Sequence, residues 1–154
     1  MECFQDLFMA SKGQPVEYNG ETIFMQDKIV VDVDFKFAVR LISTDSKYPQ
    51  LINLAVEKGE YLTYVDTQRA QFSFLADTIP IGEEMLLIGH SKNKVLRVWN
   101  GWLSKDHLGN QVKESWYNGA AMKKEVSGNT IRYFCNDGEP DEDFNDLIFE
   151  ITIL

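Results

Sequence analysis

The chain has 154 residues, 44% hydrophobic, 12% aromatic and 25% charged, with 24 acidic side chains against 15 basic ones for a formal charge of −9. That length suffices for one domain with a sizeable core, and the charge argues against nucleic acid and anionic membrane surfaces, both of which are bound through Lys and Arg. No apolar run reaches the length of a membrane span, and the opening Met1-Glu-Cys-Phe-Gln-Asp lacks a signal-peptide core, so the expected location is cytoplasmic or reached by a non-classical export route.

Residues 1–28 mix short apolar pieces with the turn signals Lys12-Gly13-Gln14-Pro15 and Asn19-Gly20. Phe4, Leu7 and Phe8 have helical spacing, and a first edge strand fits equally well. Residues 29–42 carry the clearest pattern. Ile29, Val31, Val33, Phe35, Phe37, Val39 and Leu41 share one face, and Asp32, Asp34, Lys36 and Arg40 hold the other, which predicts one long half-buried strand. Asp32 and Asp34 are read as solvent-facing strand acids, with a role as extra metal ligands as the alternative. Thr44-Asp45-Ser46-Lys47-Tyr48-Pro49 then breaks the strand.

Short runs follow at Leu51 to Val56, Tyr61 to Val65, Phe72 to Ala76 and Met85 to Ile88, separated by turn residues. Leu51 to Glu57 fits one or two helical turns as well as a strand. Within Val95 to Leu103, Asn100-Gly101 is the best short hairpin signal, because a type I′ turn needs positive φ at both central residues. Leu108-Gly109-Asn110, Asn118-Gly119 and Ser127-Gly128-Asn129 punctuate further strands, the last of which runs from Leu147 with apolar groups on much of both faces and should be central or well covered. No fixed-period repeat or low-complexity linker divides the chain. The expectation is a single all-β domain over residues 1–154, an antiparallel β-sandwich of jelly-roll-like character.

Chemistry-bearing motifs are few. The nucleophile elbow, phosphate-cradling glycine loop and paired zinc histidines are missing, and His90 and His107 stand singly, so the function expected is non-catalytic. Cys3 and Cys135 are far apart with no metal or redox spacing; two partly buried free thiols are expected, a disulfide being the alternative. Trp99, Trp102 and Trp116, with Tyr117, are weak candidates for a platform under sugar rings, against the ordinary reading of core or cross-strand pairs.

The concentrated signal is Asn136-Asp-Gly-Glu-Pro-Asp-Glu-Asp-Phe-Asn-Asp146, in which Asp137, Glu139, Asp141, Glu142, Asp143 and Asp146 are uninterrupted by Lys or Arg. Two carboxylates about 4 Å apart repel by roughly 4 kcal/mol at an effective dielectric of about 20, so such a loop must splay into water, hold protons or bind a cation. Hard oxygens at alternating and then adjacent positions suit Ca²⁺ better than Mg²⁺ or Zn²⁺. The loop is not an EF-hand, since Asp146 stands where the turn glycine belongs, Thr152 where the bidentate Glu belongs, and both flanks read as strand.

The run Asp-Gly-x-x-Asp-x-Asp-Phe-Asn-Asp before a terminal apolar strand resembles the C-terminal calcium loop of bacterial fucose- and mannose-binding calcium lectins, in which two adjacent ions coordinate sugar hydroxyls. The resemblance covers about a tenth of the chain, inserts Pro140, and has Leu154 where those lectins have glycine. It implies Asp141, Asp143, Asn145 and Asp146 as metal ligands, with Asp137 or Asn136 as the leading donor. The function expected is a calcium-binding, lectin-like carbohydrate-binding or adhesive module with Ca²⁺ as cofactor. Carbohydrate and a homo-oligomeric copy are the partners left open. The alternatives are a structural, assembly or toxin-complex β-sandwich whose loop is only a metal-stabilised or solvated turn and, more weakly, a membrane-active toxin domain using strand 29–42.

Overall fold

The computed structural model describes residues 4–139 and 142–154, which form two packed antiparallel sheets flanked by a hairpin and a short helix. The all-β sandwich is therefore the observed architecture. At the N-terminus α1 (Phe4–Ala10) is followed by the hairpin of β1 (Val16–Tyr18) and β2 (Glu21–Ile23). The Asn19-Gly20 turn has positive φ at both residues, 51° and 80°, as a type I′ turn requires. Phe4 and Phe8 settle the choice left open at the N-terminus: they form one buried helical face in a small second core with Ile23, Ala121 and Phe144.

The five-stranded sheet contains β3 (Asp27–Val30), β5 (Gln50–Ala55), β8 (Gln71–Leu75), β10 (Val95–Lys105) and β11 (Gln111–Glu114). The seven-stranded sheet runs β12 (Ala121–Ser127), β13 (Thr130–Asn136), β14 (Leu147–Ile153), β4 (Asp34–Thr44), β9 (Glu84–His90), β6 (Tyr61–Tyr64) and β7 (Thr67–Arg69). From β3 to β10 the chain passes repeatedly between the two sheets, whereas β6 and β7, β10 and β11, and β12 to β14 stay as consecutive neighbours within one sheet. Phe37, Val39, Leu62, Leu87, Phe149 and Ile151 from the larger sheet meet Ile52, Leu54, Leu96 and Val98 from the smaller one in the main core. The last strand is interior, as its two-sided apolar pattern requires, with β13 on one side and β4 on the other.

Two sequence expectations are corrected. Residues 29–42 are not one strand: β3 and β4 belong to different sheets, and the chain crosses between them at residues 31–33. The crossing keeps its backbone paired through Val31 N to Lys94 O at 3.0 Å and Ser91 N to Val33 O at 2.8 Å. Period-two alternation survives because both strands turn their apolar faces toward the same interior, so the pattern alone could not locate the break. Asn100-Gly101 makes no turn either; it lies buried inside β10. Asn100 donates its side-chain amide to Asn136 O at 2.8 Å, and a Cβ on residue 101 would come within 2.8 Å of Glu114 O. Glycine serves close strand packing there, a use that the dipeptide does not distinguish from a hairpin. The segment from Leu51 takes the strand alternative, and β5 is buried along its whole length.

The solvent face of the larger sheet is knit by charge. Register pairs place Glu84, Arg40, Glu150, Arg132 and Glu125 in a row across five strands, alternating in sign. Arg40 pairs with Glu84, and Arg132 with Glu150 at 2.9 Å. Within the same sheet Gly89 faces Phe35, whose ring would lie 2.2 Å from an added Cβ. Gly89→Ala should destabilise by about 1–3 kcal/mol through this overlap, seen as a lower urea midpoint at unchanged m-value. A midpoint equal to that of the wild type would mean that the Phe35 ring swings aside without cost.

Candidate ligand site at the acidic loop

β13 ends at Asn136 and β14 begins at Leu147, so the acidic segment closes a hairpin in the sheet interior. Its base is held by backbone and side chain together. Asp146 N donates to Cys135 O at 3.1 Å, Asp137 N to Asp146 Oδ2 at 2.9 Å, and Phe144 N to Asn136 Oδ1 at 2.7 Å. Phe144 takes a left-handed conformation, φ 52°, which sends its ring into the second core 5.8 Å from Phe4 and under the Lys123 ammonium at 4.2 Å. The loop is thereby pinned to the N-terminal helix by an apolar anchor as well as by polar bonds.

Asp137 is fully buried. Its Oδ2 accepts from Ser46 Oγ and from Gln50 Nε2 at 3.2 Å, and its Oδ1 accepts from Glu139 N at 3.0 Å. These partners are neutral, and among the described residues no Lys, Arg or His stands within ion-pair distance of it. A buried carboxylate is costly without a countercharge. Beside it, Gln50 Oε1 is a buried oxygen with no hydrogen-bond donor. Further out, Glu139 meets Lys47 at 3.0 Å and Tyr48 Oη at 3.3 Å. The Lys47 ammonium holds the Glu139 carboxyl below its usual range, and Glu139 in turn raises Lys47. Asn145 Nδ2 reaches Asp45 Oδ2 at 3.4 Å. The connection between β4 and β5 is therefore clasped to the acidic loop at several points.

The predicted metal residues separate accordingly. Asp137 and Asp146 come together in the interior, Asp143 is exposed, Asn145 is half-buried against the β4–β5 connection, and Asp141 lies outside the described residues, as does Pro140. Among the described residues no cluster of three or more Asp, Glu, His or Cys side chains gathers at metal-binding separation. Asp32 is exposed, and Asp34 stands at the far end of β4, where its Oδ1 lies 2.7 Å from His90 Nδ1. Cys135 is a buried free thiol that burial, with Asp146 nearby, pushes well above its ordinary range; Cys3 lies outside the described residues.

Beside the loop lies a cleft of about 280 Å³ lined by Tyr48, Trp102, Ser104, Glu114, Tyr117 and Glu139, among others. Trp102 is buried apart from its part in this cleft, and Gly138 rests on it so closely that a Cβ would sit 2.8 Å from Cζ2. Trp99 is buried and packs against Trp116 with ring centroids 5.4 Å apart. Trp116 is partly exposed, donates Nε1–H to Met25 O at 2.9 Å, and faces a different cleft, of about 450 Å³. The three tryptophans thus form no common platform. Tyr48 and Glu139 complete the loop-side cleft and were not singled out as its lining by sequence. An aromatic in the turn Thr44–Pro49, where no strand face calls for one, was the available signal.

No protein-family model matches the chain, and no curated protein matches it.

Because Asp137 is buried and Asp143 exposed, their roles separate in chelator. Asp137→Ala should cost about 2–4 kcal/mol by stranding its donors, while Asp143→Ala should stay within about 0.5 kcal/mol of the wild type. Chemical unfolding of the two variants checks this ordering.

Proposed function

We propose that the protein is a non-catalytic β-sandwich binding module in which the C-terminal acidic loop takes Ca²⁺ and the adjoining cleft takes a sugar. The observation that carries the cation is the fully buried Asp137 carboxylate with only neutral partners among the described residues, next to the donorless Gln50 Oε1. Both are hard oxygens of the kind that Ca²⁺ gathers. Asp146 lies against the same base, and the exposed Glu142 and Asp143 leave acceptors directed at solvent. Tyr48 and Tyr117 supply apolar ring faces, and Ser104, Glu114 and Glu139 supply polar groups, the mixture that fixes a hydroxylated ring in place.

A second reading, docking of a partner protein, is favoured by Leu86 and Ile88, which project together from the outer face of β9 at 61% and 50% exposure. It predicts association independent of both calcium and sugar.

The deciding measurement is thermal unfolding in chelator against rising calcium. At a hundredfold excess over the dissociation constant the wild type should gain about 2.7 kcal/mol, and Asp143→Asn, which leaves the buried base intact, should gain less. Calcium-dependent monosaccharide binding, read by calorimetry, should fall in Tyr117→Ala at an unchanged unfolding midpoint. A wild type indifferent to calcium removes the metal and the calcium-dependent lectin reading together.

A further inference from the structure

A second cleft, of about 510 Å³, opens beside β3 and β10 and is lined by Lys28, Glu57, Lys58, Asn93, Val95 and Arg97. Lys28 and Arg97 are direct register partners on antiparallel strands, so two cations leave the same face at opposed positions. That arrangement costs stability. Arg97 is half-buried, held by Nη2 to Val56 O at 3.4 Å and by the Trp99 ring, 5.9 Å from its guanidinium carbon, neither of which neutralises it. Among the described residues none of Lys28, Lys58 and Arg97 lies within ion-pair distance of a carboxylate, although the chain has 24 acidic side chains to draw on. The contrast with the sign-alternating row from Glu84 to Glu125 is direct: there register partners neutralise one another, and here they repel.

We propose that this cleft is an oxyanion site that holds the phosphate or sulfate group of a small ligand. The Arg97 guanidinium supplies a planar pair of donors for two oxygens, and Lys28 and Lys58 supply flexible point charges. Three cations against the single carboxylate of Glu57 leave the cleft positive, and the Asn93 amide adds a neutral donor. The formal charge of −9 disfavours a long polyanion, which would have to lie along an acidic surface, so the ligand is small. This site is separate from the acidic loop and does not depend on calcium.

The test is thermal unfolding of the full chain in chelator, titrated with inorganic phosphate, with glucose 6-phosphate and, at matched ionic strength, with potassium chloride. The wild type should show a saturable rise of roughly 3–6 °C at tenfold excess over the dissociation constant, beyond any effect of chloride. Lys28→Gln and Lys58→Gln should lose that rise, and Lys28→Gln should be at least as stable as the wild type in chloride, because it removes the repulsion with Arg97. Both anions acting supports the site; tighter binding of glucose 6-phosphate assigns the group to an organic molecule, and equal binding assigns it to the free ion. The absence of a rise overturns the proposal. So does a rise kept by both variants, since exclusion of a kosmotropic anion from the surface acts on every variant alike. A Lys28→Gln protein less stable than the wild type in chloride also overturns it.

Discussion

The insertion of β14 between β13 and β4 is the constraint on which the rest of the molecule depends. Its backbone is paired on both sides, and Leu147, Phe149 and Ile151 point into the main core, so its register cannot slip by one residue without turning that row outward. A fixed β14 fixes where the preceding loop must close. The loop in turn has to return the chain from Asn136 to Leu147 while carrying most of its charge, and it does so by burying the two flanking acids and leaving Glu142 and Asp143 in solvent. Asn136 serves both layers: its carbonyl takes the Asn100 amide from the other sheet, and its side chain takes Phe144 N from the loop.

The fold was largely legible in the sequence because binary patterning is local. Phe37, Val39 and Leu41 were placed on the buried face by alternation alone, and they are buried. What alternation cannot encode is which sheet a strand joins. The sheet change between β3 and β4 preserves the phase of the pattern, and the contacts that mark it, Val31 and Val33 with the loop at residues 91–94, lie far away in sequence. Asn100-Gly101 misleads for a related reason. A dipeptide that permits positive φ also permits two chains to approach closely, and a tertiary contact, the Glu114 carbonyl against residue 101, decides between these uses.

The candidate site was legible in composition and less so in geometry. A run of acids without a cation marks a loop with an electrostatic problem, and the buried Asp137 is where that problem is sharpest. Its partners Ser46 and Gln50 are more than 80 residues away in sequence, so no local pattern announces them. The same holds for His90, which looks solitary in sequence yet meets Asp34 and the ring of Tyr61, both its register partners on neighbouring strands, and Glu60 at 3.4 Å from the residue just before β6.

β10 joins the two clefts. Its first half carries Arg97 opposite Lys28, and its second half carries Trp102 beneath Gly138 and the acidic loop. Trp102 stands five steps along the strand from Arg97, a rise of about 17 Å, which exceeds the screening length of about 8 Å at physiological ionic strength. The basic and acidic clefts therefore do not neutralise one another through solvent, although they share a strand. An anion approaching the first feels the local cations more than the net charge of the chain, and a cation approaching the second feels the loop. A single acidic protein can in this way present two surfaces of opposite sign, because the strand that links them is stiff enough to keep the charges apart.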